Sequence, residues 1–248
     1  MHLVLLTALG VGGATIAGAA IGFLFKNITH RLSDMILSFA AGVMLAAAVI
    51  GLILPSLDSG NILVTVTGIF AGALFLNLID RFVPHLHSLA GKTEEKHPAN
   101  TEKLNKILLF VLAIAIHNFP EGIAAGVGFG AGNTHQAIVV AGGIALQNIP
   151  EGMVIIAPML SLGLSKRRTF FYALMTGVVE VIGTFIGYVA VSVSLALLPF
   201  ALAFAGGTML YVISDEMIPE THHGDERYVT YALLAGFCLM LITDFYLG

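Results

Sequence analysis

Two six-residue stretches decide the reading of this chain: His-Asn-Phe-Pro-Glu-Gly at 117–122 and Gln-Asn-Ile-Pro-Glu-Gly at 147–152. Each lies near the middle of an apolar run long enough to cross a bilayer. A carboxylate, an amide and an imidazole are costly at that depth unless they bind something. The two copies together read as one metal site.

Working outward, 57% of the 248 residues are hydrophobic and 10% are charged, against roughly 25% charge in an ordinary soluble domain. This is the composition of a polytopic membrane protein. The longest polar stretch, 81–106, could not bury a core of its own. The expected organisation is a single transmembrane domain over 1–248, with 81–106 as a cytoplasmic, histidine-containing loop. The net charge of −4 says little, because in a bilayer the placement of Lys and Arg counts rather than their sum. Cys238 stands alone in its apolar span, which excludes an intramolecular disulfide and reads as a small buried hydrophobe.

Uncharged apolar runs at Leu3–Phe25, Met35–Leu54 and Ile62–Ile79 predict helices one to three. The first is preceded by no Lys or Arg and is long for a signal sequence, so it is kept as a span. From Ile107 to Leu164 the only charges are Glu121 and Glu151, and the turn-rich GAGNTHQ at 130–136 divides the stretch into helices four and five. Thr169–Ile213 carries only Glu180 and needs two crossings, six and seven, with a reversal near Ser192–Ser194. Val229–Leu247 is the eighth, so the fold class is all-α. All 11 basic residues fall after helices one, three, five or seven. By the positive-inside rule both termini then face outward. Gly18/Gly22, Gly122/Gly126 and Gly183/Gly187 have the spacing that lets membrane helices approach closely, although glycine is common in such helices in any case.

Helical spacing puts His117, Asn118 and Glu121 on one face of helix four, and Gln147, Asn148 and Glu151 on one face of helix five. The topology makes these helices antiparallel, so the two faces can meet, related by an approximate twofold axis in the membrane plane. Pro120 and Pro150 cannot donate to the carbonyls of Ile116 and Leu146, which predicts kinks and suits a cation pathway. Glu121, Glu151 and Glu180 are the carboxylates deep in the spans, and no Lys or Arg accompanies them. Their charge must be met by protonation or by a bound cation. Imidazole with carboxylate favours zinc and its neighbours, whereas oxygen alone would favour magnesium or calcium. One copy of Asn-x-Pro-Glu-Gly fits a kinked helix with a buried protonated Glu equally well; two copies with a third mid-span Glu favour metal.

Two further clusters stand out. After helix three come His85, His87 and His97 among Glu94, Glu95 and Glu102, which read as a flexible solvated linker ahead of a metal-collecting loop. After helix seven, Asp215, Glu216, Glu220, His222, His223, Asp225 and Glu226 crowd around Pro219 and read as lining a metal exit. His2, His30 and His135 read as interfacial residues.

At the paired Pro-Glu-Gly motifs the chain resembles the ZIP (Zrt-/Irt-like) family of divalent metal transporters, in its GufA-like bacterial branch. The resemblance spans the whole chain. It implies an eight-helix bundle with inverted-repeat pseudo-symmetry, and import of zinc into the cytoplasm through a binuclear site between helices four, five and six. One metal would sit among His117, Glu121, Gln147 and Glu151, and the second among Asn118, Asn148, Glu180 and the two shared glutamates. Many family members have His at the position of Gln147 and some have an acid at that of Asn148, so the second site here carries fewer charges. The resemblance also implies a rigid unit containing helices four and five that moves against a scaffold. The expected cargo is Zn2+, with Cd2+, Fe2+, Mn2+ or Co2+ as alternatives; the expected partners are these ions and membrane lipid, with no nucleic acid, and a homodimer stays open. The expected place is the cell membrane. No enzyme is expected, and the competing readings are a metal exporter and a zinc-dependent intramembrane hydrolase, the latter disfavoured because there is no H-E-x-x-H.

Overall fold

The apolar runs fold into helices in the computed structural model, which describes residues 2–24, 29–82, 99–130, 134–161, 163–222 and 227–247. In chain order the long helices are α1 (His2–Gly22), α2 (His30–Ser59), α3 (Ile62–Phe82), α4 (Ala99–Gly130), α5 (Thr134–Val154, resuming after a turn at Ile155 as Ile156–Ser161), α6 (Lys166–Val193), α7 (Leu195–Thr221) and α8 (Arg227–Leu247). No strand occurs among the described residues. All but α4 are long and apolar enough, as described, to cross a membrane. The fourth is the longest at 32 residues, and side chains in its first turns lie outside the described set. The polytopic all-α expectation is met.

Local chemistry sets the helix ends. The amide of Leu32 donates to Thr29 Oγ1 at the start of α2, that of Val64 to Asn61 Oδ1 at the start of α3, and that of Arg168 to Ser165 Oγ at the start of α6, each satisfying an orphan N–H of a first turn. Ser194, in extended backbone, separates α6 from α7 at the predicted reversal.

Two helices depart from simple α geometry, and in the same way. In α2 the stretch Ala47–Ile53 is a π-helix that ends as the Leu54 amide donates to the Val49 carbonyl, one residue before Pro55. In α7 the stretch Ile213–Met217 is a π-helix that ends as the Ile218 amide donates to the Ile213 carbonyl, one residue before Pro219. A proline leaves the carbonyl four residues back without its donor, and the wider i→i+5 turn accommodates the surplus residue.

Packing divides the helices into two groups. The most extensive contacts within the first join α4 to α6, α1 to α5 and α1 to α6; those within the second join α2 to α8 and α3 to α7. Exchanging α1 with α6, α2 with α7, α3 with α8 and α4 with α5 maps these pairings onto one another, which is the inverted-repeat pattern. Glycines make the close approaches. A Cβ at Gly122 or Gly126 would collide with the carbonyl of Glu180 or Thr184, and one at Gly183 or Gly187 with that of Phe119 or Ile123, so α4 and α6 interlock reciprocally. Gly18 and Gly22 press similarly on Ile149 and Met153 of α5. Gly42 and Gly236 join α2 to α8, and Gly72 and Gly207 join α3 to α7. Between the groups, Gly51 and Gly143 meet only the side chains of Val140 and Met240. Backbone therefore touches backbone within a group, while side chains mediate between groups.

One expectation is corrected. Cys238 is exposed rather than buried, because α8 turns Gly236 and Met240 inward and position 238 lies between them on the outer face.

Candidate metal centre

Antiparallel packing of α4 and α5 places the two motifs at one level, and α6 adds its glutamate. The Gln147 amide donates through Nε2 to Glu121 Oε1 at 2.7 Å. Across the centre, Glu180 accepts from Asn118 Nδ2 on one oxygen, and from Asn148 Nδ2 on the other at 2.8 Å. Thr15 of α1 adds a hydroxyl donor to Glu180 Oε1 at 2.7 Å. Glu121, Gln147, Asn148, Glu180, Asn118 and Thr15 are all buried; Glu151 and His117 are half-buried. All seven residues singled out by sequence thus meet in one region, and Thr15 joins them.

Glu121 is engaged by an amide and Glu180 by amides and a hydroxyl, and among the described residues no three His, Cys, Asp or Glu side chains converge tightly enough to enclose an ion. Glu121 Oε2, Gln147 Oε1 and Asn148 Oδ1 are nevertheless buried acceptor oxygens with no donor. Buried oxygens without donors are costly, and bound cations are groups that would satisfy them. With a neighbouring imidazole, the donor set suits a divalent transition metal.

His117, Asn118, Glu121 and Glu151 line a cavity of about 150 Å³ that continues past Leu37, Val154, Ile155 and Pro158 to Met217, Glu216 and Glu220. It thus runs from the centre toward the end of the bundle where α2 begins and α5 and α7 finish. That end holds Arg31, Lys166 and Arg227. His117 Nε2 lies 2.8 Å from Glu216 Oε1. A second cavity of about 310 Å³ lies at the opposite end, lined by residues including Gly51, Leu52, Asp58, Gly128, Gln136 and Leu198. Between the two, Met44, Ala48, Ala124, Ile144, Ala205 and Met209 belong to one buried apolar cluster.

Of the acidic segment around Pro219, which the structure places within the last turns of α7, Glu216 and Glu220 line the first cavity, whereas Asp215 does not. His222 turns back on its own helix, its Nδ1 lying 3.0 Å from the Ile218 carbonyl oxygen. His223, Asp225 and Glu226 lie outside the described residues, as do His85, His87, His97, Glu94 and Glu95; of Glu102 only the backbone is described. His2, His30 and His135 are exposed. Thr15 had no sequence signal, since a threonine in an apolar helix is ordinary.

The chain is similar to known proteins. A family model described as "ZIP Zinc transporter" matches residues 87–244. Zinc transporter GufA of Myxococcus xanthus is 47% identical over 182 residues, covering 73% of this chain and 70% of that protein. Zinc transporter ZIPB of Bordetella bronchiseptica is 37% identical, covering 95% of this chain and 78% of its own length. Zinc transporter ZupT of Chlorobium chlorochromatii is 31% identical, covering 94% and 92%. Identity sustained across the bundle, and not only at the doubled motif, places the chain in the ZIP family of transporters, which are not enzymes.

Proposed function

We propose that the chain imports a divalent transition metal, zinc foremost, into the cytoplasm through a two-metal site built by α4, α5 and α6. The first metal takes His117, Glu121, Gln147 and Glu151. The second takes Asn118, Asn148 and Glu180 with the shared Glu121 and Glu151. The observation that carries this reading is the set of buried acceptor oxygens on Glu121, Gln147 and Asn148 that have no donor. Cd2+, Fe2+, Mn2+ and Co2+ present the same demands and are secondary cargo.

Import is what the family resemblance implies, and orientation follows from charge placement. The basic end of the bundle is cytoplasmic by the positive-inside rule, which puts both termini outside and the protein in the cell membrane as a multi-pass, single-domain transporter. The cavity holding the centre runs to that end, and the other cavity faces the outside. Alternating access then requires α1, α4, α5 and α6 to move as one glycine-locked body against α2, α3, α7 and α8. The side-chain interface between the groups supports this, because side chains re-pack more easily than interlocked backbones.

The test is zinc flux in proteoliposomes with zinc on one side. Uptake is expected in the wild type and absent in Glu121→Ala and Glu151→Ala. Uptake persisting in both variants, or flux only away from the cytoplasmic face, overturns the reading.

A further inference from the structure

Glu180 receives donors from three helices, and one of them, α1, carries no part of the metal motifs. Thr15, 1% exposed, donates to Oε1 of Glu180, itself 0% exposed, at 2.7 Å. One turn earlier on the same face of α1, the Val11 carbonyl accepts from Asn148 Nδ2 at 3.3 Å. Neither contact can drift. A Cβ at Gly152 of α5 would collide with the Thr15 carbonyl, and Gly12 of α1 and Gly177 of α6 are in backbone contact. Thr15 is therefore held between the two helices that supply Asn148 and Glu180.

The three donors are not equivalent. An amide carries its donor and acceptor on one rigid plane, so where Asn118 or Asn148 offers an ion its oxygen, the direction of its bond to Glu180 is set by the ion and not by Glu180. A hydroxyl faces no such constraint. It donates to one lone pair of Oε1, and the carboxylate keeps its remaining lone pairs for metal. We propose that Thr15 is the positioning residue of the second metal's half-site, fixing the Glu180 carboxylate while the two asparagines offer their oxygens to the ion, and so governing the affinity of the second metal but not of the first. This rests on the two-metal reading above.

Outer partners that orient ligands typically change metal affinity by about 10–100-fold. The experiment is a zinc titration of the purified full chain in detergent, by calorimetry, with bound zinc counted by elemental analysis. In Thr15→Val, which keeps the shape and removes the donor, the second binding event is expected to weaken by about tenfold or more with the first unchanged. Thr15→Ser restores it. Retention of the first event shows that the bundle is assembled; if Thr15→Val does not fold, Thr15→Ala is read the same way. A wild type that binds two metals, with both affinities unaltered in Thr15→Val, overturns the Thr15 assignment alone. Equal weakening of both events, or no rescue by serine, reduces Thr15 to a packing residue and also overturns it. A wild type that binds one metal overturns the two-metal reading and this inference with it.

Discussion

His117 Nε2 and Glu216 Oε1 are 2.8 Å apart, and the two residues belong to different helix groups: His117 to the interlocked α1, α4, α5 and α6, Glu216 to α7. The imidazole nitrogen that reaches Glu216 is therefore not free for an ion at the same moment, and the pair also ties one group to the other beside the inner cavity. Replacing Glu216 with Gln removes the charge that faces the imidazole, a contact worth about 1 kcal/mol, so zinc binding at the first site should tighten by about fivefold. Transport should slow as release becomes harder. Calorimetry read against uptake rate checks both halves, and weaker binding in this variant would show that Glu216 is itself a ligand.

Gln147 is the position at which the two motifs differ in donor type. It is buried and donates to Glu121, so it occupies one of that carboxylate's oxygens and offers only an amide oxygen in return. Gln147→His supplies an imidazole in place of the amide. Tighter zinc binding at the first site and a lower maximal uptake rate are expected. An unchanged affinity would remove Gln147 from the ligand set.

The glycine contacts predict stability by location. At Gly126 an added Cβ meets the Thr184 backbone carbonyl, which cannot yield, and overpacking of this kind costs about 1–3 kcal/mol. Gly126→Ala should therefore lower the melting temperature of the purified protein. Gly51→Ala meets the side chain of Val140 across the two groups, and should disturb flux more than stability. Gly142→Ala, with nothing within 4 Å, is the control, and a control as unstable as Gly126→Ala would break the argument.

Carboxylate and imidazole ligands bind metal in their deprotonated forms, so metal and protons compete for them. Zinc affinity is expected to fall as pH is lowered, with protons released on binding. Calorimetry in buffers of different ionisation enthalpy counts those protons, and a count of zero would exclude the competition.

Much of this architecture is legible in the residues. Spans, their alternation and the basic end follow from hydropathy and from the placement of Arg31, Lys166 and Arg227, because lipid imposes those constraints on the chain directly. The meeting of Glu121 with Gln147 follows from helical spacing and a short turn. Thr15 does not, because its role depends on which helix packs beside α6, and a stripe of small residues allows several neighbours. Glu216 stands out only as one acid among many around Pro219; nothing in the spacing of that segment says that it, rather than Asp215, faces His117. The π-helices are equally hidden, since one surplus residue leaves an apolar run looking the same.

Those π-helices imply a rule about chain length. Converting one to regular α geometry requires removing a single residue, and everything beyond the deletion then rotates by about 100° about the helix axis. Deleting one residue within Ile213–Met217 before Glu216 should swing either that carboxylate or the preceding part of α7 out of register with His117. The corresponding deletion in Ala47–Ile53 should do the same to Asp58 relative to the outer cavity. Each of these helices thus carries one residue more than a straight rod would need, at matching places ahead of a proline, and each presents an acidic side chain, Asp58 or Glu216, to one of the two cavities.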